Sequence, residues 1–278
     1  MRCFLLFLLL LWPLPARGDK KADIERGTQT RRDVVFIKRG ARALRLHLVR
    51  PAVLPAKRLP VLIWVHGGLW RDGDAGKMPP LLFELARRGY ACASVDFRPS
   101  NEAVFPAQLD DLRAATRFLR QKSGDFSLDG NKIGAIGIST GAHLAALLAL
   151  SGGARCAIDI CGPSDLTTLN QKSRLAWDES GGPVYDLLGG SVAQKTALAR
   201  AASPLFRVVK NPPPFLILHG EDDSLVALSQ SEALFERLKN AGGAVTYRIY
   251  RGEEHGLRGA KPETEAEILA FLAKWLPK

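Results

Sequence analysis

The sequence predicts an α/β domain: a mostly parallel central sheet with helices on both faces and a short irregular, lid-like insertion. Three observations lead there. Continuous apolar runs such as VLIWVHGG (61–68), YACASVDF (90–97) and PPFLILHG (213–220) suit strands covered on both faces. Segments with apolar residues at helical spacing lie between them, so strand and helix alternate, as in parallel-sheet domains. Finally, 278 residues with 46% hydrophobic and 24% charged content can bury a substantial core, which excludes a disordered or low-complexity chain.

Taken in order, the first element is an export segment. Residues 1–18 read MRCFLLFLLLLWPLPARG, with one Arg, then an apolar run, then Pro and small residues. That is the order of a secretory signal peptide, with cleavage expected before Asp19. The run is too short to span a bilayer comfortably, since a crossing helix needs about 20 residues. The expected destination is secreted or periplasmic, with no stable membrane insertion after cleavage and one catalytic domain over 19–278. Loss of Arg2 and Arg17 takes the formal charge from +11 to +9, and loss of Cys3 leaves Cys92, Cys156 and Cys161. These read as buried thiols. If 156–161 is one strand, Cys156 and Cys161 point to opposite faces, which is poor disulfide geometry. The basic residues are scattered, with no recognition helix or zinc-finger spacing, so no nucleic-acid partner is expected.

After a polar lead, strands are expected over 34–38 and 43–49, the first long buried strand over 61–65, a helix over 79–88 opened by two prolines, and a second buried strand over 90–97. A helix over 107–121 turns Leu109, Leu112, Ala115 and Leu119 inward, leaving Asp110, Asp111, Arg113 and Arg117 for the wet face. Strand 131–138, helix 142–150 and strand 157–161 follow. The region 163–207 breaks the rhythm with paired glycines and short helical pieces such as 192–201, as a small lid or an irregular crossover would. Strand 213–220, helix 228–240, strand 244–250 and helix 263–276 close the domain.

The strongest local signal is Gly137-Ile138-Ser139-Thr140-Gly141, between a strand and an apolar helix. Glycines at these places allow a sharp strand-to-helix turn that lifts a serine hydroxyl above the sheet edge. A serine nucleophile needs a base. His47 lies within an early strand, His66 and His219 end buried strands, and His143 sits one turn into the helix. His255, in the polar loop RGEEHG after the last strand, is the best placed to overhang the strand ends. HGEDDSLV (219–226) supplies the acid, Asp223 ahead of Asp222, giving the order Ser139, Asp223, His255. Oxyanion donors are expected from the backbone of Gly68 or Leu69, in His66-Gly67-Gly68-Leu69-Trp70, and from Thr140. Trp70 either lines the pocket or packs beneath the loop, and His143 is a second possible pocket neighbour. The histidines show no zinc spacing, so neither metal nor cofactor is expected.

These stretches, with DFRPSNEAVFPAQLDDLRAATRFLR and CGPSDL, resemble the α/β-hydrolase superfamily, specifically its esterase and lipase group with the H-G-G-x-W motif, over about residues 30 to 278. The resemblance implies Ser139 as nucleophile, His255 as base and Asp223 as acid, and it supports Gly68, Leu69 and Thr140 as the oxyanion region. Secreted members of the group include feruloyl and acetylxylan esterases, so the implied substrate is a small-molecule or polysaccharide-linked ester. A serine peptidase or amidase of the same fold is the alternative. Leu69 stands where relatives often carry a third glycine, and Ala142 departs from S-x-G-G-H; both changes bear on the pocket wall.

Overall fold

The computed structural model describes residues 20–170 and 173–278. The export segment expected over 1–18 lies outside them. Along the chain run α1 (Lys20–Glu25), β1 (Thr28–Arg39), β2 (Arg42–Pro51), β3 (Leu59–Val65), α2 (Pro80–Arg87), β4 (Ala91–Val95), α3 (Ala107–Gln121), β5 (Leu128–Ile138) and α4 (Thr140–Leu150). Then follow β6 (Ala157–Ile160), α5 (Pro183–Leu188), α6 (Thr196–Ala202), α7 (Pro204–Arg207), β7 (Phe215–Gly220), α8 (Leu228–Asn240), β8 (Val245–Tyr250) and α9 (Lys261–Trp275).

The eight strands form one sheet in the order β1-β2-β4-β3-β5-β6-β7-β8. β1, β2 and β4 pair antiparallel; from β4 through β3 to β8 every pair is parallel. Alternation along the buried strands feeds two cores. Val61, Ile63 and Val65 of β3 join α3, α4 and α8 on one face, while Leu62 and Trp64 join α2 and α9 on the other. The runs that read as continuously apolar are therefore strands with a core on each side. α4 is buried on nearly every side, which explains its lack of a polar face.

β3 and β5 are neighbours, yet β3 exits toward α2 on one face and β5 toward α4 on the other. A crevice opens at the carboxyl ends of strands where the crossovers diverge in this way. The loop 66–73 and Ser139 both sit there.

Three expectations change. β1 is twelve residues long, because it continues through a bulge at Asp33 (φ 56°). Its burial is too weak for alternation to reveal the full strand. Asp111 is fully buried and not on the wet face: it accepts from Arg39 and from both the backbone and guanidinium of Arg98 at 2.8–3.1 Å. Cys156 and Cys161 share one core, because β6 stops at Ile160 and Cys161 turns into a left-handed conformation (φ 54°), which breaks the alternation. Cys92, Cys156 and Cys161 are free thiols.

Much of the 163–207 region is packed inward. Trp177, Val184, Leu187, Leu188, Ala199 and Ala202 are buried in the same core as Trp70. It is also stitched to the loop after β7: the Ser173 hydroxyl donates to the Leu225 carbonyl at 2.6 Å, and the Arg174 N–H donates to Ser224 at 3.0 Å.

Candidate active site

Ser139 stands between β5 and α4 with φ 55° and ψ −130°, outside the regions that L residues ordinarily occupy. Such a conformation costs of order 1–3 kcal/mol and persists only when its surroundings enforce it. Here the Ser139 N–H donates to Ile160 at 2.8 Å, and its carbonyl accepts from Ala142 and His143. A Cβ at Gly137 would overlap the Gly141 carbonyl; one at Gly141 would overlap the carbonyls of Val65 and His66. The two glycines therefore allow α4 to press against the strand ends, leaving the Ser139 side chain half-buried in the crevice.

The loop after β3 approaches from the other side. Gly68, Leu69 and Trp70 have φ of 126°, 57° and 59°, three left-handed residues in succession. The Gly68 carbonyl accepts from the N–H groups of Arg71 and Asp72, and a Cβ at Gly68 would collide with the Asp72 carbonyl. A Cβ on Gly67 would lie 3.2 Å from that of Ser139, which fixes how closely the loop meets the serine. The Leu69 N–H takes no part in the loop's backbone bonding. Thr140, the first residue of α4, presents one of the helix-start N–H groups that lack an intrahelical partner.

Trp70 and His143 have no solvent-facing surface, so neither lines an open pocket. The Trp70 indole donates to His143 Nδ1 at 3.2 Å, and His143 Nε2 donates to the Ala202 carbonyl at 2.7 Å. Burial lowers the His143 pKa to about 4, and this neutral ring ties the loop after β3 to α6. Of the two readings open for Trp70, packing beneath the loop is the one its surroundings support.

At the acid end, Asp223 Oδ1 accepts from the N–H groups of Leu225 and Val226, both at 2.9 Å. Its Oδ2 lies 2.6 Å from His255 Nδ1. Asp222, the alternative acid, is exposed and contributes its N–H to the Glu253 carbonyl. Burial by itself would raise the Asp223 pKa; hydrogen bonds from His219, His255 and the Val226 N–H outweigh it and hold the carboxyl below the ordinary range. Asp223 is therefore an anion that accepts from Nδ1–H of His255 and leaves Nε2 as the acceptor. His255 and Asp223 are joined directly. Among the described residues no hydrogen bond links the Ser139 hydroxyl to His255.

Sequence reasoning missed a layer behind Asp223. Cys161, His219 and Asp223 bring three possible metal-binding atoms within 4.8 Å of one another. They read instead as a hydrogen-bonded cluster, because His219 Nδ1 meets the Ser231 hydroxyl at 2.6 Å and Nε2 meets the Val226 carbonyl at 2.8 Å. Burial pushes the Cys161 thiol up to about 12, so it is no ready thiolate. Asp159 of β6 is fully enclosed, with Oδ1 accepting from the Gly162 N–H at 2.8 Å and Oδ2 unpaired. The apolar spelling of 156–161 contains this carboxylate but gives no sign of its neighbours.

Beside the crevice lies an apolar cleft of about 230 Å3. Its lining includes Trp64, Leu81, Ile160 and Leu257, together with Ile138 and Gly256, the sequence neighbours of Ser139 and His255.

The BD-FAE family model matches residues 46–238, more than half of the chain. The chain belongs to the BD-FAE family. This BD-FAE chain is similar to esterase LipC of Mycobacterium tuberculosis, 30% identical over 95% of this chain and 70% of LipC. It is also similar to esterase LipQ of the same organism, 32% identical over 74% of this chain, and the match spans about half of LipQ's length (52%). A truncated carbohydrate esterase from gut microbiota superposes with TM-score 0.80 at 23% identity, covering 90% of this chain and 97% of that one, a likeness of fold. Esterase Est2 of Thermogutta terrifontis with propionate bound superposes with TM-score 0.75 at 25% identity, covering 91% and 97%. The BD-FAE chain is thus an α/β hydrolase of the esterase group.

Proposed function

We propose that this protein is an exported serine carboxylesterase that cleaves short-chain, aryl or carbohydrate-linked esters through a covalent acyl-enzyme. The observation that carries the reading is the 2.6 Å bond that turns His255 Nδ1 onto ionised Asp223, at the same sheet end as the strained Ser139. His255 Nε2 takes the Ser139 hydroxyl proton as Oγ bonds to the ester carbonyl carbon. The carbonyl oxygen becomes an oxyanion facing the N–H groups of Thr140 and of Gly68 or Leu69. Collapse breaks the ester C–O bond, and His255 gives its proton to the leaving alcohol. Water then loses a proton to His255, attacks the acyl carbon and releases the acid, and the proton returns to Ser139.

The apolar cleft of about 230 Å3 supports a modest acyl or aryl group, and the propionate held by Est2 accords with a short one. Export rests on the order of residues 1–18. Among the described residues no helix is long and apolar enough to cross a membrane.

The test is hydrolysis of p-nitrophenyl esters from acetate to palmitate, alongside matched peptide anilides, by wild type and Ser139→Ala. Wild type is expected to turn over the short esters with a burst. Folded Ser139→Ala should lose the burst and on the order of 10^4-fold or more in kcat. Full activity in Ser139→Ala would sink the nucleophile assignment, and turnover of anilides without esters would move the reading to the amidase alternative.

A further inference from the structure

The acid of the proposed triad faces two histidines. His255 reaches Asp223 Oδ2 from the loop after β8. His219, at the end of β7 and fully buried, brings Nε2 within 3.2 Å of the same oxygen from below. In the sequence His219 marks only the end of a buried strand; in the fold it also contacts the loop that carries Asp223.

Its hydrogen bonds specify its tautomer. The Ser231 hydroxyl of α8 lies 2.6 Å from Nδ1 and can donate to it. Nε2 lies 2.8 Å from the Val226 carbonyl, which can only accept, so the ring proton sits on Nε2. That N–H donates to the Val226 carbonyl, and Asp223 Oδ2 lies 3.2 Å from the same nitrogen. Val226 in turn donates its own N–H to Asp223 Oδ1. Both carboxylate oxygens are thus fixed through one short segment, 223–226, with His219 as its floor. The other titratable groups around this cluster are Asp159 of β6, Cys161 just after it, Tyr247 of β8 beside Cys161, and His255 above.

We propose that His219, with its tautomer set by Ser231, is a positioning residue for the general base: it fixes the Asp223 carboxylate and competes with His255 for Oδ2, and thereby sets both the orientation and the basicity of His255. This rests on the triad reading above. It acts through Asp223, since His219 has no exposed surface from which to meet substrate.

The consequence has a sign. Removing the second donor leaves Oδ2 to His255 alone. The carboxylate then stabilises imidazolium more strongly, so the acid limb of the kcat/KM profile moves to higher pH. A merely structural role would lower stability without moving that limb. His219→Gln is expected to reduce kcat about tenfold with KM within about twofold, and Ser231→Ala to act in the same direction by about threefold. Ser231→Ala removes only a hydroxyl, so it keeps the test open if His219→Gln does not fold.

The decisive experiment is a double-mutant cycle on p-nitrophenyl acetate, using the full protein. In an Asp223→Asn background, neither His219→Gln nor Ser231→Ala should reduce kcat further, because the group they act through is gone. Additive losses, or an acid limb that stays in place in folded variants, would overturn the proposal while leaving the triad intact. A negligible effect of Asp223→Asn itself would instead mean that the triad reading has failed.

Discussion

The two halves of the crevice are held by different physics. Around Asp223 and His255, which sit in loops, His219 at the end of β7 and Ser231 in α8 complete a cluster fixed by hydrogen bonds of 2.6–2.9 Å to side chains. Around Ser139 and the loop after β3, position comes from backbone: Gly68, Leu69, Trp70 and Ser139 all have positive φ, and packing and close glycine contacts keep them there. A hydrogen-bonded half can be adjusted by small steps, one partner at a time. A strained half is nearly all-or-none, because it holds only while its supports are complete.

The largest break should therefore come from a minimal change on the strained side. Gly68→Ala adds one methyl group where φ is 126° and the Asp72 carbonyl stands in the way. Misplacing the loop's donors is expected to lower kcat by about 10^2–10^3. Steady-state kinetics with circular dichroism as a fold control checks this; a loss under tenfold would remove the 68–69 loop from the oxyanion site.

A smaller effect is expected one layer deeper. Asp111 anchors Arg98, and two residues on the Ser100 N–H donates to the Trp70 carbonyl at 2.8 Å, so the loop after β3 leans on that anchor. Asp111→Asn leaves Arg39 and Arg98 without a counter-charge and should cost about 3 kcal/mol of stability, read by denaturant unfolding. Turnover by the folded fraction should fall less than Gly68→Ala makes it fall. A stable variant with lost activity would reverse the roles assigned to the two positions.

The smallest effect belongs to the hydrogen-bonded side and depends on pH. Burial raises the Asp159 carboxyl to about 6, against the opposing influence of the Gly162 N–H and His219. The folded protein then holds this proton more tightly than the unfolded chain. Its contribution is fully present below the ordinary carboxylate pKa of about 3.8 and is lost as pH rises through about 6. Asp159→Asn stays neutral, so relative to wild type it should gain about 2 kcal/mol between about pH 4 and 7. A stability difference that is flat across that window would show that Asp159 is not a buried, proton-retaining group.

The sequence exposes what is spelled by pattern and hides what depends on assembly. Apolar runs such as 61–65 and 215–218 mark strands because a buried parallel sheet needs them. The elbow around Ser139 is legible because strand, paired glycines and apolar helix are contiguous. His255 and Asp223 could be chosen because the loops after late strands overhang the same edge. Asp111 was unreadable because its two arginine partners come from β1 and from the loop after β4, and only their convergence makes its burial tolerable. Ser231 was equally silent: a hydroxyl in a polar helix carries no mark of the histidine it meets. Cys161 misled because one left-handed residue ends a strand without altering its apolar spelling.

The contrast between loops also maps where this chain can be varied. Residues 52–58, between β2 and β3, are a surface loop, and Val53 there is 86% exposed, so substitutions and insertions have little to disturb. Residues 66–73 are the reverse. A leucine and a tryptophan sit where the backbone favours glycine, at a cost of roughly 1–2 kcal/mol each, and the buried tryptophan is keyed to His143. Directed evolution aimed at substrate range would gain most from the walls around Leu81, Leu257 and Lys261. A library spread across the H-G-G-L-W loop would mostly return chains that no longer assemble a crevice.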